Sequence, residues 1–432
     1  MTTLYISPTG RADADGLSEA NPWPVSNLTN FRPEPGDTVR LIGGASYPVA
    51  LEWFGPTDPD RPITLTRYGD PGLPNPVIAS GNRRGLWCAG SGIVVRDVDF
   101  LGEGGEAGIE VSSDLSGSPS RNLSLIGVGA TGYVMGGIVF NASAPIEGIL
   151  IQRCKLNGNA NGLFMSGAGV KDVGGVLTLT GVNMLRKVSV MDTEASDNIL
   201  FNLASCGNGL SLAGVDGLDV IGNRAFGNGN ANGTTGSGIT VQQCRDFRVA
   251  FNHTGRTPQG PQGDGQGIVA NSSERGEISC NVSDRDYIGI DIHDDRQLFE
   301  PHYVSRRIIV RNNVIRGCTV GLQLYRSRGD VWFIANDVEV HAGSGEYKKC
   351  LDIDSPDGLI YYQGNTLRAT ADEGALAALL IEAAGHRGLE GAWFGEDNRW
   401  HSSDARPFKV RAEYLVTLAE ALAVVPVPIP AA

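Results

Sequence analysis

One short phrase recurs along the chain: glycine, an aliphatic residue, a free position and a second aliphatic residue. It reads Gly108-Ile109-Glu110-Val111, Gly137-Ile138-Val139-Phe140, Gly162-Leu163-Phe164-Met165 and Gly209-Leu210-Ser211-Leu212. It continues as Gly238-Ile239-Thr240-Val241, Gly267-Ile268-Val269-Ala270, Gly289-Ile290-Asp291-Ile292 and Gly321-Leu322-Gln323-Leu324, and Cys350-Leu351-Asp352-Ile353 keeps it without the glycine. The intervals are 29, 25, 47, 29, 29, 22, 32 and 29 residues, with 47 read as two coils. A period of this size marks a repeat architecture.

A second apolar stretch follows the phrase in a fixed place, as in Leu218-Asp219-Val220-Ile221, Phe247-Arg248-Val249-Ala250, Ile308-Ile309-Val310-Arg311, Val331-Trp332-Phe333-Ile334 and Leu359-Ile360-Tyr361-Tyr362. These stretches are short, alternating, rich in β-branched or aromatic residues, and bounded by Gly and Asn, which is the strand signature. No run between them is long enough for a crossover helix. A unit of about 28 residues holding two or three short strands in constant order makes equivalent strands parallel when units stack. Right-handed winding is the default for such crossovers. The predicted fold is an all-β, right-handed parallel β-helix of about 11 or 12 coils.

Asn223, Asn252, Asn281, Asn313, Asn336 and Asn365 each follow the second strand directly, at spacings of 29, 29, 32, 23 and 29. Turn preference alone does not fix such a register, so a hydrogen-bonded amide ladder is expected. Val98, Val128, Cys154 and Thr193 take the equivalent place in earlier coils.

Composition agrees. The 432 residues include 59 Gly, and only 19% are charged, which suits tight coils. No stretch of 18 apolar residues occurs, so no membrane insertion is expected. The start, Met1-Thr2-Thr3-Leu4-Tyr5, lacks the regions of a secretory signal. The expected location is therefore a virion, the exterior after lysis, or the cytoplasm. Seven cysteines spread among the coils read as core or turn residues. A net charge of −13 argues against nucleic acid as a partner. Arginines nevertheless crowd between Arg296 and Arg328, with Glu300 the one acid among them. That run reads either as a site for an anionic ligand or as surface arginines paired with Asp294, Asp295 and Asp330.

The ends break the pattern. Residues 1–60 are rich in Pro and Gly and are expected to cap the first coil. Residues 61–385 are assigned to the β-helix, and 386–432 to a second cap and tail. That second cap holds the Trp393–Trp400 segment and a helix over Ala412–Val424, stopped by Pro426, Pro428 and Pro430. Caps protect open strand edges.

Tyr5-Ile6-Ser7-Pro8-Thr9-Gly10, Asp15-Gly16-Leu17-Ser18, Asn21-Pro22-Trp23 and Pro35-Gly36-Asp37-Thr38-Val39 resemble the N-terminal cap of the right-handed β-helix polysaccharide lyases and related phage tailspikes. The repeats resemble that pectate-lyase-like superfamily along nearly the whole chain. The resemblance implies a polysaccharide partner, degraded or merely bound, and a tailspike or depolymerase setting. Homotrimers are common among the resembled spikes. Polygalacturonase-like members pair Asp-Asp with Gly-His-Gly about one coil later; here Asp294-Asp295 is present, but Gly385-His386-Arg387 lies three coils on. The lysine-plus-acid calcium cluster of pectate-lyase-like enzymes is missing. Calcium is the one cofactor left open, although no loop has a convincing oxygen-ligand spacing for it.

Register permits a site to be read. In Ile288-Gly289-Ile290-Asp291-Ile292-His293 the isoleucines face the core, so Asp291 and His293 face outward. Gln323 and Tyr325 should stand over them, then Asp352 and Asp354, with Glu382 after Asp354. Ser112, Asn141, Ser166, Ala213, Gln242 and Asn271 form the uncharged earlier part of the strip. Asp291 and Asp352, two coils apart, would have backbones about 9–10 Å apart, near the ~6.5–9.5 Å that admits water in inverting glycosidases. Elimination would use the same face differently, with His293 or Tyr325 as base and Arg326 or Arg328 holding a uronate carboxylate. Solvation of an outward sheet face and salt bridging is the third reading. Asp294, Asp295 and Gln323 would help to bind the glycan. The long coil after Gly289 adds Phe299, His302 and Tyr303, whose rings would stack on sugars. A second loop, Arg256 to Gly265, would flank the neighbouring coils.

Overall fold

Both predicted stretches form strands, and a third short strand completes most turns. The computed structural model describes residues 1–55, 57–113, 117–173, 176–199, 207–229, 236–259, 265–295, 302–354, 358–383, 389, 391–410, 413–415 and 417–423. They fall into two units, Met1–Thr178 with Val182–Asp219, and Leu179–Gly181 with Val220–Ala432. The fold is an all-β, right-handed parallel β-helix of about 11 turns.

In the first unit one row contains Thr3–Ile6, Thr38–Ile42, Ile63–Tyr68, Ile93–Arg96, Ser120–Ile126, Ile146–Gln152 and Leu185–Met191. Its inward column is Leu4, Val39, Leu65, Val95, Leu125, Ile151 and Val190, all buried. A second column carries the repeated phrase: Leu51, Leu86, Ile109, Ile138, Leu163 and Leu210. In the second unit the corresponding columns are Val249, Ile278, Val310, Phe333, Tyr362 and Phe394, and Ile239, Ile268, Ile290, Leu322, Leu351, Ile381 and Phe408. Each fully buried aliphatic side chain is worth about 1.5–3 kcal/mol. Strand order therefore follows from stacking like on like.

The glycine of the phrase has a steric cause. A Cβ on Gly289 would stand 2.6 Å from the Gly321 carbonyl oxygen, and one on Gly321 would stand 2.7 Å from that of Cys350. The corner before the third strand has a conformational cause. Phe251, Cys280, Asn312 and Ala335 adopt φ of 59°, 56°, 55° and 53°, each directly before a ladder asparagine. That left-handed residue turns the chain.

The amide ladder is present. Asn223 Nδ2 donates to Asn252 Oδ1 at 2.9 Å, Asn252 to Asn281 at 3.0 Å and Asn281 to Asn313 at 3.0 Å. Asn313 donates to Asn336 at 2.9 Å, and Asn336 to Asn365 at 3.0 Å. It also extends one step further than expected, from Asn365 to Asn398 at 3.1 Å.

The ends differ from expectation. Parallel pairing begins at Thr3–Ile6 and runs through Ala392–Phe394, Arg399–Ser402 and Phe408–Val410, so strands lie in the stretches read as caps. The C-terminal helix spans Leu418–Ala423 rather than Ala412–Val424, and Glu413–Leu415 is a strand antiparallel to Phe408–Val410. Pairing with an open edge overrides local helix preference there. Pro426, Pro428 and Pro430 lie outside the described residues. Cys88, Cys154, Cys244, Cys318 and Cys350 are buried free thiols, as expected of core cysteines. No helix among the described residues is long and apolar enough to cross a membrane.

Candidate functional site

In the second unit, Ile288–His293, Val320–Tyr325, Tyr347–Asp354 and Ala377–Ala383 lie side by side in one row. Their alternate residues form two outer columns. The first is Thr240, Val269, Asp291, Gln323, Asp352, Glu382 and Lys409. The second is Gln242, Asn271, His293, Tyr325 and Asp354. Glu382 thus stands over Asp352 and not after Asp354. The uncharged residues Gln242 and Asn271 continue the His293 column alone. Gln323 and Asp352 stand over Asp291, and Tyr325 and Asp354 over His293, as the register predicted; Glu382 alone changes column.

Asp291 departs most from expectation: it is 0% exposed. Its Oδ2 accepts from Gln266 Nε2 at 3.3 Å and lies 3.7 Å from His293 Nδ1. Its Oδ1 has no hydrogen-bond partner among the described residues. The Gln266 amide and the His293 ring flank the carboxylate, which does not stand open on an outward face. His293 itself is 28% exposed. Its ring lies 4.8 Å from that of Tyr325, and the Arg326 guanidinium sits 4.5 Å from the Tyr325 ring centre. Asp354, half-buried, ends this column.

Asp352 is held by one lysine and one amide. Gln323 Nε2 donates to its Oδ2 at 2.9 Å, and Lys349 Nζ lies 2.8 Å away. Lys349 also reaches Glu382 at 2.7 Å, and Lys409 reaches Glu382 at 2.6 Å and the Tyr347 hydroxyl at 3.3 Å. Burial alone would lower the Lys349 ammonium, but Asp352 and Glu382 outweigh it and hold it above the ordinary lysine value. Burial pushes the Glu382 carboxyl up, and the two lysines overcome this to hold it low. Sequence reading missed Lys349, Lys409 and Gln266. The signal for Lys409 was its place in the column, which needed the register of a coil without the repeated phrase.

Gln323, Lys349, Asp352, Tyr287, Tyr347 and Thr257 line a groove of about 640 Å³. Asp286 also lines it. Burial pushes the Asp286 carboxyl up to about 6, against hydrogen bonds from Ser283, Thr257 and Thr254.

Other expected residues lie elsewhere. Tyr303 is 2% exposed with the Arg245 guanidinium 5.0 Å from its ring centre, so it offers no wall for sugars. Asp294 is fully buried and accepts from Ser272 Oγ at 3.1 Å; Asp295 N donates to the same hydroxyl at 3.1 Å. Arg328 is exposed, with its backbone N–H bonded to Ser305 O at 3.2 Å. The arginine run is no single patch, because a coil carries its residues around the solenoid. Arg306 pairs with Glu274, Arg311 with Glu277 and Arg316 with Asp337, and not with Asp294, Asp295 or Asp330. Arg296, Phe299, Glu300 and the Gly385–Arg387 triplet lie outside the described residues, as does the middle of the Arg256–Gly265 loop. No group of three or more His, Cys, Asp or Glu that could hold a metal occurs among the described residues.

No protein-family model matches the chain. No curated protein matches it either. Solved structures do share the fold. The GH136 lacto-N-biosidase from Eubacterium ramulus matches with a TM-score of 0.56 at 13% identity, over 93% of this chain and 68% of that one. The catalytic domain of GH87 alpha-1,3-glucanase in complex with nigerose matches with a TM-score of 0.51 at 12% identity, over 84% of this chain and 64% of that one. The Dettilon tailspike protein matches with a TM-score of 0.41 at 14% identity, over 86% of this chain and 63% of that one.

Proposed function

We propose that the chain binds an acidic polysaccharide along this outer face and cleaves it by β-elimination, with His293 as the base. One observation carries the reading: His293, Tyr325 and Arg326, each partly exposed, lie together beside a buried carboxylate, Asp291. Elimination needs a base for the proton next to a uronate carboxylate, a donor for the leaving oxygen, and a cation for the carboxylate. Neutral His293 supplies the base and the Tyr325 hydroxyl the proton, while Arg326 binds the carboxylate. Asp291, behind the imidazole, stabilises the imidazolium that forms. Asp352 then borders the groove as a binding group, and Asp354 ends the His293 column. The N-terminal resemblance supports a tailspike or depolymerase setting.

Hydrolysis is the second reading, favoured by the single column through Asp291, Gln323 and Asp352. Two coils separate the carboxylates, about 9–10 Å at the backbone. The two structures of highest similarity reported above are glycosidases by name. Against it, Asp291 is buried and Asp352 is engaged by Lys349.

Products from a panel of uronate-containing polysaccharides test the choice. Elimination is expected to yield new chain ends that absorb in the ultraviolet through an unsaturated uronate. New reducing ends without that absorbance would establish hydrolysis, and binding without new ends would make the protein an adhesin. His293→Gln is expected to lower turnover by about 100-fold or more while binding persists. Undiminished turnover in that variant removes His293 from the mechanism.

A further inference from the structure

A second row of the same unit carries an aromatic strip that the candidate site does not use. Its strands are Arg306–Arg311, Val331–Ile334, Ile360–Gln363 and Ala392–Phe394. Their outward column reads Ile309, Trp332, Tyr361 and Trp393. The inward neighbours, Phe333, Tyr362 and Phe394, are core rings stacked 5.0 and 4.7 Å apart. The core needs those. Nothing in packing requires large aromatics on the outer side, where Trp393 is 38% exposed and Trp332 and Tyr361 are half-buried.

The rings are arranged for contact with a ligand. Trp332 and Tyr361 are parallel within 7° at 5.6 Å between centres, and Tyr361 and Trp393 are 6.3 Å apart. Centres this far apart in parallel rings mark an offset stack, within the usual ~4.5–7 Å, and the offset leaves part of each face uncovered. Their polar handles are also available. No hydrogen bond engages the Trp332 or Trp393 indole N–H or the Tyr361 hydroxyl among the described residues, and none of the three is a buried unsatisfied group. Gln363 and Arg311 border the strip, both exposed. Apolar faces with open donors along one line suit a ligand that offers C–H faces and hydroxyls in repeating order. An apolar partner surface would leave those donors unpaired, at a cost.

We propose that Trp332, Tyr361 and Trp393 form a second glycan-binding strip, which holds a polysaccharide chain lengthwise, one ring per coil. This rests on the reading that the ligand is a glycan, but not on its cleavage. Such a strip would raise the affinity for long chains while leaving the reaction with short fragments alone.

The experiment is binding of the whole chain to an array of neutral and acidic oligosaccharides and to immobilised polysaccharides, for wild type, Trp332→Ala, Trp393→Ala and the triple Ala variant. Each single change is expected to weaken polysaccharide binding about tenfold with the melting temperature and molecular mass unchanged. Phe251→Ala, an exposed ring outside the strip, should bind as wild type does. Wild type binding no glycan, or the triple variant binding as well as wild type, overturns the proposal. A fall in molecular mass in the variants would make the strip a contact between copies and overturn it equally. Loss of turnover with intact strip-dependent binding would sink only the proposed cleavage.

Discussion

Asp286 shows how one residue's surroundings become a measurable property. It is 2% exposed, and burial raises its carboxyl from the ordinary 3.8 to about 6. Between those values the folded protein keeps the proton and the unfolded chain has lost it. Stability is therefore highest at the acid end of the window, falls as pH rises through it, and levels off above about 6. The amplitude is on the order of 3 kcal/mol. Asp286→Asn removes the titrating group, so its unfolding free energy in urea should gain on wild type from pH 4 to 6 and then hold a constant difference. A difference that stays flat from pH 4 would show Asp286 ionised throughout. None of this was legible in the sequence, where Asp286 is an unremarked acid before a tyrosine. Asp291 was legible as an outer-column residue by alternation, but its burial was not, because Gln266 reaches it from the neighbouring strand.

At the scale of the element, the asparagine ladder was almost entirely legible. Six of its members follow a strand in constant register, and stacked coils bring such positions within hydrogen-bond reach. Each amide serves two coils: Asn281 Oδ1 accepts from Asn252 N at 2.9 Å, and its Nδ2 donates to Val249 O at 2.9 Å. Asn281→Ala would leave four buried partners, the Asn252 N–H, the Asn252 and Asn313 amides and the Val249 carbonyl, without that amide. At about 1–3 kcal/mol for each buried polar group left unsatisfied, the expected loss is about 3–5 kcal/mol, read as a lower urea midpoint. A loss below 1 kcal/mol would mean that water replaces the amide. The C-terminal helix was less legible. Its alanine- and leucine-rich sequence favours helix, yet Glu413–Leu415 pairs with the strand before it, because an exposed edge offers hydrogen bonds that local preference does not register.

On the scale of the whole molecule, net charge decides how a ligand approaches. The chain carries −13, and beyond a Debye length of about 10 Å at 0.1 M salt a ligand feels little of any local arginine. If the glycan is acidic, long-range repulsion should slow its approach at low salt. Raising ionic strength from about 0.02 to 0.1 M should then increase kcat/KM about twofold. A neutral glycan would show no such rise, and a fall would mean that local cations dominate. The repeat period, the aliphatic columns and the amide ladder were determined by the sequence alone, because each is a rule about neighbours one coil apart and every coil obeys it. Tertiary structure alone decided which carboxylates are buried, which lysines neutralise them, and that the crowded arginines disperse to separate partners. Those outcomes depend on where side chains reach between strands and around corners, and a linear period carries no information about direction.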